Sequence, residues 1–422
     1  MMRRLLIVPG VLLVLLLGAV FVAWPRAEHV PSSAPQAWAA TPQNIARGAY
    51  LAKAGDCAAC HTARGGTAYA GGRAVDTPFG RVMAPNITPD RDTGIGAWSA
   101  DEFWNALHNG IGRGGRLLYP AFPYPNYTKL TRDDSDALFA YLRSLPPARQ
   151  PNQPHALRFP YDSQAALAAW RLLYFKPGVY SPSQARTADW NRGAYLVEGL
   201  GHCAACHSPR NQLGASGQGL RGGLIPVLGW YAPSLASKDP HLAQLLRTGV
   251  SPEGAVFGPM AEVVGRSLQH LSENDVGAMA VYLASLPAEQ EAGQAAAPPP
   301  DEVMKLGSKL YGQHCADCHG KDGRGAVGEN GGKDGLPAYP PLAGNRTLKQ
   351  ATPVNAIRIV LNGGFAPATA GNPRPYGMPP YSPVLSDTEV AAVLSYVRAS
   401  WGNGARMVTP SEVNNYRAVP LD

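Results

Sequence analysis

The pentapeptide Cys57-Ala-Ala-Cys60-His61 decides the fold, because its pattern returns as Cys203-Ala-Ala-Cys206-His207 and as Cys315-Ala-Asp-Cys318-His319. The chain has 422 residues, and the three motifs use all six of its cysteines. On one helical turn, two thiols at this spacing can reach both vinyl groups of a haem, and the following histidine can bind the iron. The motifs therefore predict three covalently bound haem c groups with His61, His207 and His319 as axial ligands.

Two other uses of a Cys-x-x-Cys pattern fit this chain less well. A four-ligand zinc site pairs two such units, so three units leave one unmatched. A redox-active cysteine pair does not need a histidine after every copy. Because haem of this type is attached outside the cytoplasm, the motifs also predict that the chain carries an export signal.

The N-terminus has the features of such a signal. Arg3 and Arg4 are followed by an apolar run from Leu5 to Ala23. A signal peptide usually has an apolar region of about 7–15 residues, whereas a spanning helix needs about 20. We predict a signal or anchor helix over residues 1–26 and favour an uncleaved anchor. The two arginines would keep the N-terminus inside, which leaves the rest on the periplasmic side of the bacterial inner membrane.

The sequence around the motifs repeats. Arg47-Gly-Ala-Tyr50-Leu51 precedes the first motif, Arg192-Gly-Ala-Tyr195-Leu196 the second and Gly307-Ser-Lys-Leu310-Tyr311 the third. Each motif is followed by an amphipathic helix that ends 83 to 88 residues after the first cysteine, a length that indicates small domains rather than a solenoid. Polar residues followed by acidic ones indicate the starts of these helices, at Thr131, Ser272 and Ser386. We predict an all-α fold of three tandem class I cytochrome c domains behind an N-terminal anchor or signal helix.

The repeats and the proline-rich stretches between them give the predicted boundaries. The apolar stretch from Ala165 to Phe175 predicts a short helix in the longer linker. After residues 1–26, the predicted segments are domain 1 (41–147), a linker (148–184), domain 2 (185–290), a Pro/Ala linker (291–300), domain 3 (301–405) and a C-terminal tail (406–422).

Two methionines are candidates for the sixth iron ligand. A methionine thioether opposite histidine raises the haem potential and closes the iron to other ligands. Met260 lies 57 residues after Cys203, and Met378 lies 63 residues after Cys315. Both precede a closing helix, and this matched spacing predicts axial ligation at the second and third haems.

The first repeat departs from this pattern, because Phe122 stands where a methionine is expected. His108 and Met83 are the candidates for the sixth ligand, and an open or water-filled position is the third possibility. Met83 precedes Ala84-Pro85 and aligns with residues before Pro233 and Pro341. A proline carbonyl at this point is expected to orient the proximal histidine, which places Met83 on the unfavourable face.

Five strings outside the cysteine motifs are specific enough to indicate a family. They are Thr77-Pro-Phe-Gly80, Asn86-Ile-Thr-Pro-Asp90, Leu118-Tyr-Pro-Ala-Phe-Pro-Tyr124, Gly258-Pro-Met-Ala-Glu-Val-Val264 and Ser400-Trp-Gly-Asn403. With these strings, the chain resembles the triheme cytochrome c subunit of membrane-bound periplasmic dehydrogenases, such as the alcohol, gluconate, sorbitol and fructose dehydrogenase complexes. The resemblance implies that the chain accepts electrons from a catalytic subunit of flavin, PQQ or molybdenum type. It also implies delivery to membrane ubiquinone or to a terminal oxidase.

Composition restricts the alternatives. The formal net charge is +7, but residues 41–150 carry 12 basic and 9 acidic residues, so the charge is not gathered into the basic patch of a nucleic-acid-binding protein. The sequence offers no nucleophile, carboxylate pair or nucleotide loop, which favours an electron carrier without catalytic residues. The alternative is a multihaem enzyme, peroxidase-like or sulfur-oxidising, that uses an open first haem.

Overall fold

The computed structural model of this chain describes residue 18 and residues 39–217, 219–287, 297–326 and 339–419. These residues form two compact units, of which the N-terminal unit contains the first motif and the C-terminal unit the other two. Of the described residues, the N-terminal unit takes those up to Pro182 together with Glu198–His202 and Asn211–Ala215, and the C-terminal unit takes Ser183–Val197, Cys203–Arg210 and those from Ser216 onward.

The same order of helices surrounds each motif: a helix before it, the motif itself and a closing helix. The helices up to the end of the first linker are α1 (Pro42–Ala54), α2 (Cys57–His61), α3 (Ala100–Asn109), α4 (Tyr124–Tyr127), α5 (Arg132–Ser144) and α6 (Gln164–Tyr174), with a 3₁₀ turn at Arg113–Gly115. The later helices are α7 (Ala188–Tyr195), α8 (Ala204–His207), α9 (Leu242–Thr248), α10 (Pro259–Arg266), α11 (Glu273–Ala284), α12 (Asp301–His314), α13 (Ala316–His319), α14 (Arg346–Lys349), α15 (Val354–Asn362), α16 (Asp387–Ala399) and α17 (Pro410–Arg417), with a π-helical turn at Leu196–Leu200 and a 3₁₀ turn at Leu268–His270.

Short strands pair in the loops between these helices. One antiparallel sheet has three strands in the order β1-β2-β3, and three further pairs are antiparallel hairpins. The strands are β1 (Ala74–Thr77), β2 (Gly80–Met83), β3 (Ala156–Leu157), β4 (Gly223–Ile225), β5 (Trp230–Ala232), β6 (Val250–Ser251), β7 (Gly254–Ala255), β8 (Gly364–Phe365) and β9 (Gly377–Met378).

The prediction of an all-α fold with an anchor helix is therefore corrected in two respects. The fold is mostly helical, but chain segments that run antiparallel between helices pair their backbone groups into small sheets. Across the described parts of the chain, no helix combines the length and the apolar character needed to cross a bilayer. Apart from residue 18, the predicted segment 1–26 lies outside the described residues.

The helix before each motif crosses the closing helix at a glycine. A side chain at Gly48 would overlap the backbone carbonyl of Ala137, and one at Gly193 would overlap that of Ala278. Gly307 meets the closing helix of the third repeat in the same way. These glycines permit the close contact between the two helices of each repeat.

The closing helices begin at the capping residues that the sequence indicates. Thr131, Ser272 and Ser386 each accept a hydrogen bond from the backbone N–H three residues later, which satisfies one of the free N–H groups at the helix start. In the third repeat, Glu389 completes a capping box by bonding back to the Ser386 N–H. The predicted helix starts are therefore confirmed.

The linker after the first repeat belongs to the N-terminal unit as far as Pro182. Its strand β3 pairs with β2, and the Asn152 side chain accepts a hydrogen bond from the Asn86 N–H at 2.7 Å. The predicted linker helix is confirmed as α6, and its inner face packs on Ile111 and Leu117. The linker therefore packs against the loops of the first repeat.

The C-terminal segment closes the core of the third repeat. Helix α17 lies in the part predicted to be a tail, and its Val413 is completely buried in the cluster that also holds Ile357 and Val390. Arg398 of α16 is also fully buried. It donates to the backbone carbonyls of Leu348, Gln350 and Arg406, whose segments it joins.

Candidate haem-binding sites

The three motifs fold into single helical turns, α2, α8 and α13, and all six cysteines are free of disulfides. Burial raises the pKa of the Cys57 and Cys203 thiols to about 12 and that of Cys315 to about 11. Burial thus keeps the first thiol of each motif neutral. Two cysteines on one helical turn fit the two thioether bonds of a covalently attached haem.

Each motif histidine is held by a proline carbonyl. The Nδ1 atoms of His61, His207 and His319 lie 2.8, 2.6 and 2.9 Å from the carbonyl oxygens of Pro85, Pro233 and Pro340. An Nδ1–H that donates to a carbonyl leaves Nε2 as the bare nitrogen that can bind iron. The expected proline carbonyl is thus confirmed, although in the third repeat it belongs to Pro340 and not to Pro341, where the alignment put it.

Burial also sets the charge state of these histidines. It lowers the pKa of His61, His207 and His319, and the proline carbonyls oppose this change only in part. A neutral imidazole is the form that ligates a metal. The three rings are consequently oriented, and kept in the protonation state, for axial binding.

A glycine N–H donates a hydrogen bond to the backbone carbonyl of each motif histidine. Gly71, Gly222 and Gly325 donate to His61, His207 and His319 at 2.8, 2.8 and 2.9 Å. Their φ angles of 77°, 82° and 79° lie in the left-handed region that glycine adopts without strain. The sequence analysis missed these residues because they follow their histidines at unequal distances. The Gly-Gly pairs at 71–72 and 222–223 were the available signal.

The segment expected to supply the sixth ligand begins, in each repeat, at a second glycine. Helices α3, α9 and α15 end at Gly110, Gly249 and Gly363, with φ angles of 61°, 80° and 64°. The next residue in each repeat pairs across a hairpin. These pairs are Ile111 with Leu117, Val250 with Ala255 and Gly364 with Met378.

The predicted methionine ligands occupy different places relative to these hairpins. Met378 is itself the residue of β9 that pairs with Gly364. Met260 lies five residues beyond Ala255, as the second residue of α10. Phe122 likewise lies five residues beyond Leu117, so it is the counterpart of Met260. Axial ligation by Met260 and Met378 stays a prediction.

The candidates in the first repeat lie far apart along its elements. Met83 is the last residue of β2, and its N–H donates to His155. It stands two residues before Pro85, which contacts His61, so it belongs to the histidine side. His108 lies near the end of α3, where its ring stacks on Trp104 with 4.5 Å between ring centroids. Its Nδ1 is 3.4 Å from the Thr128 hydroxyl.

Comparison with known proteins gives two kinds of match. A family model for cytochrome c matches residues 45–146 and 304–401. These ranges cover the first and third repeats, while residues 185–290 lie outside both.

Curated relatives match along most of the chain. One of the subunits of nicotinate dehydrogenase from Pseudomonas putida is 42% identical over 90% of this chain, but the chain spans only 32% of that protein. The gluconate 2-dehydrogenase cytochrome c subunit of Pantoea cypripedii is 38% identical, with 88% of this chain and 89% of that protein covered. The fructose dehydrogenase cytochrome subunit of Gluconobacter japonicus is 36% identical, with 97% and 89% covered.

Proposed function

Because this chain belongs to the family of cytochrome c subunits of dehydrogenases, we propose that it carries three haem c groups and transfers electrons for a dehydrogenase. The observation that carries the count of three is the arrangement shared by the motifs. Each has two cysteines on one turn and a histidine whose Nδ1 faces a proline carbonyl. Haem bound there supplies one-electron chemistry at iron.

Each haem would be held by residues of one repeat. The cysteine pairs are Cys57 and Cys60, Cys203 and Cys206, and Cys315 and Cys318, and the proximal ligands are His61, His207 and His319. We expect Met260 and Met378 to be the sixth ligands of the second and third haems. Two methionine-closed haems suit a carrier, because thioether ligation excludes other ligands.

The sixth ligand of the first haem differs. Met83 adjoins the loop that holds His61, which argues against it as a ligand for the opposite face. His108 lies near the end of α3, and its Nδ1 faces the Thr128 hydroxyl, so ligation of the iron by His108 would have to come from its Nε2. Two alternatives therefore remain for the sixth position of the first haem, namely ligation by His108 and an open position.

The donor and acceptor are proposed by class. The relatives are cytochrome subunits of dehydrogenases, which supports a dehydrogenase catalytic subunit as the electron donor. We expect that donor to be of flavin, PQQ or molybdenum type, and the acceptor to be ubiquinone or a terminal oxidase. Because covalent haem is attached outside the cytoplasm, the chain would act on the periplasmic side of the bacterial inner membrane.

A second function follows from Phe122. If no side chain closes the first haem, a small ligand could bind there, as in a peroxidase-like or sulfur-oxidising multihaem enzyme. Addition of carbon monoxide to the reduced protein separates the two functions. A pure carrier gives no rapid spectral change, whereas rapid binding to one haem in three, followed by turnover with peroxide, would favour the enzyme.

The proposed function is tested by haem counting and by reoxidation. The full chain, produced with the c-type haem attachment machinery, should contain three haems by pyridine haemochrome assay and mass spectrometry. After reduction with dithionite, a short-chain ubiquinone should reoxidise it. Fewer than three haems would overturn the count. A protein that neither this quinone nor an oxidase-containing membrane preparation reoxidises would overturn the proposed role.

A further inference from the structure

The third repeat places a buried arginine beside the second motif's site, within the C-terminal unit. Arg358 of α15 is fully buried. Its guanidinium carbon lies 4.9 Å from the centroid of the Trp230 ring, and its Nη1 lies 3.5 Å from the Val419 carbonyl oxygen. A guanidinium over an indole face is a favourable cation–π arrangement. The charge is thus fixed at a defined position and not on a mobile surface side chain.

Trp230 connects the segment that holds His207 with the segment that carries Met260. It begins β5, which leads directly into Pro233, the residue whose carbonyl oxygen lies 2.6 Å from His207 Nδ1. Its ring also lies against Gly258, where a side chain would approach the ring atoms to 2.8 Å. Gly258 precedes Met260 by two residues and has a φ of 56°. Trp230 therefore links the histidine loop and the methionine loop.

A second contact fixes α15 against the same strand. The Asn355 side chain accepts from the Tyr231 N–H at 2.9 Å and donates to the Tyr231 carbonyl at 2.8 Å. Asn355 and Arg358 are three residues apart and so lie on one face of the helix. These bonds set the register of α15 on β5 and hold Arg358 over Trp230.

A buried cation at this place acts on the redox equilibrium of a neighbouring haem. Arginine stays protonated at all accessible pH values, and burial weakens its screening by water and salt. Oxidised haem iron carries one more positive charge than reduced iron, so a nearby cation disfavours the oxidised form. We propose that Arg358, supplied by the third repeat, raises the reduction potential of the haem attached at Cys203 and Cys206. This inference rests on the proposed function.

Removal of the charge should lower one reduction potential and leave two unchanged. In the full holoprotein, Arg358→Met and Arg358→Gln are each expected to lower the midpoint of one of the three waves in a spectroelectrochemical titration. The Met260→His substitution identifies the wave of the second haem, and the Arg358 variants should displace that same wave. Arg358→Lys keeps the charge and should retain most of the wild-type midpoint.

An exposed arginine of the third repeat gives the matched control. Arg374→Met removes the same charge from the surface, where water and salt screen it, and should move no wave. The displacement caused by Arg358→Met should also persist in high salt. Three unchanged midpoints in Arg358→Met and Arg358→Gln proteins, or an equal change in all three, would overturn the inference.

The haem count separates this inference from the proposed function. If the wild-type protein lacks a haem at Cys203 and Cys206, the proposed function of that site fails. If all three haems are attached and only the potentials disagree, Arg358 has no such role. A variant that loses haem or unfolds early is set aside in favour of the other neutral variant, and loss of haem in both neutral variants would mark Arg358 as structural and overturn the inference.

Discussion

The side of each site that holds the histidine and the side expected to supply the sixth ligand, here called the opposite side, follow different rules. On the histidine side, a proline carbonyl faces Nδ1 and a glycine N–H holds the histidine carbonyl in all three repeats. On the opposite side, the hairpin after the helix pairs Leu117, Ala255 and Met378 in turn. The first side is therefore a repeated scaffold, and the second is where the repeats differ.

This difference has a physical basis. Backbone groups supply the contacts on the histidine side, so loops of three different lengths provide them through a proline carbonyl and a glycine of positive φ. The opposite side offers a side chain to the iron, and a single residue changes its chemistry there. Phe122 and Met260 lie at the same distance from their hairpins, yet only one of them has a sulfur atom.

The largest effect is expected when the two haem-attaching cysteines of one site are removed. Replacement of Cys315 and Cys318 by alanine should remove one haem and leave two, because the thioether bonds of each repeat are independent. The third repeat should also become unstable, since a domain of this size depends on the haem for its apolar centre. Haem counting and limited proteolysis measure both effects.

The corresponding double variant at Cys57 and Cys60 is the control for that experiment. It should also lose one haem but leave the third repeat protected from protease. If either double variant keeps three haems, the attachment sites are assigned incorrectly.

The next largest effect is expected where the helix before a motif crosses the closing helix. Gly193→Ala places a Cβ against the Ala278 backbone and should lower the free energy of unfolding by about 1–3 kcal/mol. Gly277→Ala is the matched control, because it lies on the opposing helix α11 in open space. It should raise the free energy by about 0.5–1 kcal/mol. Thermal unfolding of both holoproteins measures the difference, and equal effects would contradict the crossing.

A third experiment removes the difference between the first and second repeats. Phe122→Met puts a thioether at the position equivalent to Met260, and we expect the Met–iron charge-transfer absorption per molecule to increase by half. The first haem should also become unreactive toward carbon monoxide, if it reacts at all before the change. Phe122→Leu has no sulfur and is the control. An unchanged absorption in the Phe122→Met protein would show that this position cannot reach the iron.

The smallest effect concerns helix α17, which carries Glu412. Arg406 donates to Glu412 at 2.6 Å and lowers the pKa of that carboxyl from 4.5 to about 2. A carboxyl with a lowered folded-state pKa stabilises the fold above its ordinary pKa, and this contribution disappears as the pH falls. Glu412→Gln should therefore lower the free energy of unfolding by about 1 kcal/mol at pH 7. Its difference from the wild type should vanish as the pH falls from 4.5 to about 2.

Glu302→Gln, which removes an exposed carboxylate from α12 of the same repeat, is the control for the pH series. Its effect on the free energy of unfolding should be small throughout. If the Glu412→Gln difference stays constant over the whole acid range, the ion pair with Arg406 does not stabilise the helix.

Local patterns made the histidine side predictable. The motif cysteines, the motif histidines and the prolines near 85, 233 and 340 lie in short strings with recognisable neighbours. The starts of the closing helices are likewise predictable from Thr131, Ser272 and Ser386, because a cap acts on the next turn only. Such interactions are decided within a few residues and so are visible in the sequence.

Contacts between distant segments escaped the sequence analysis. Gly71, Gly222 and Gly325 were missed because their loops differ in length, and strands such as Gly364–Phe365 are too short to show alternation. The contact of Arg358 with Trp230 joins residues from two repeats. Neither segment carries a pattern that indicates the other, so only the folded chain reveals it.

The ratio of Met–iron charge-transfer absorption to total haem tests the account most directly. It compares the repeated side, which fixes the number of haems, with the variable side, which fixes the number of methionine ligands. In the oxidised full chain we predict three haems and two methionine ligands, contributed by Met260 and Met378. Three methionine ligands would contradict the assignment of Phe122, and fewer than two would contradict the assignment of Met260 or Met378.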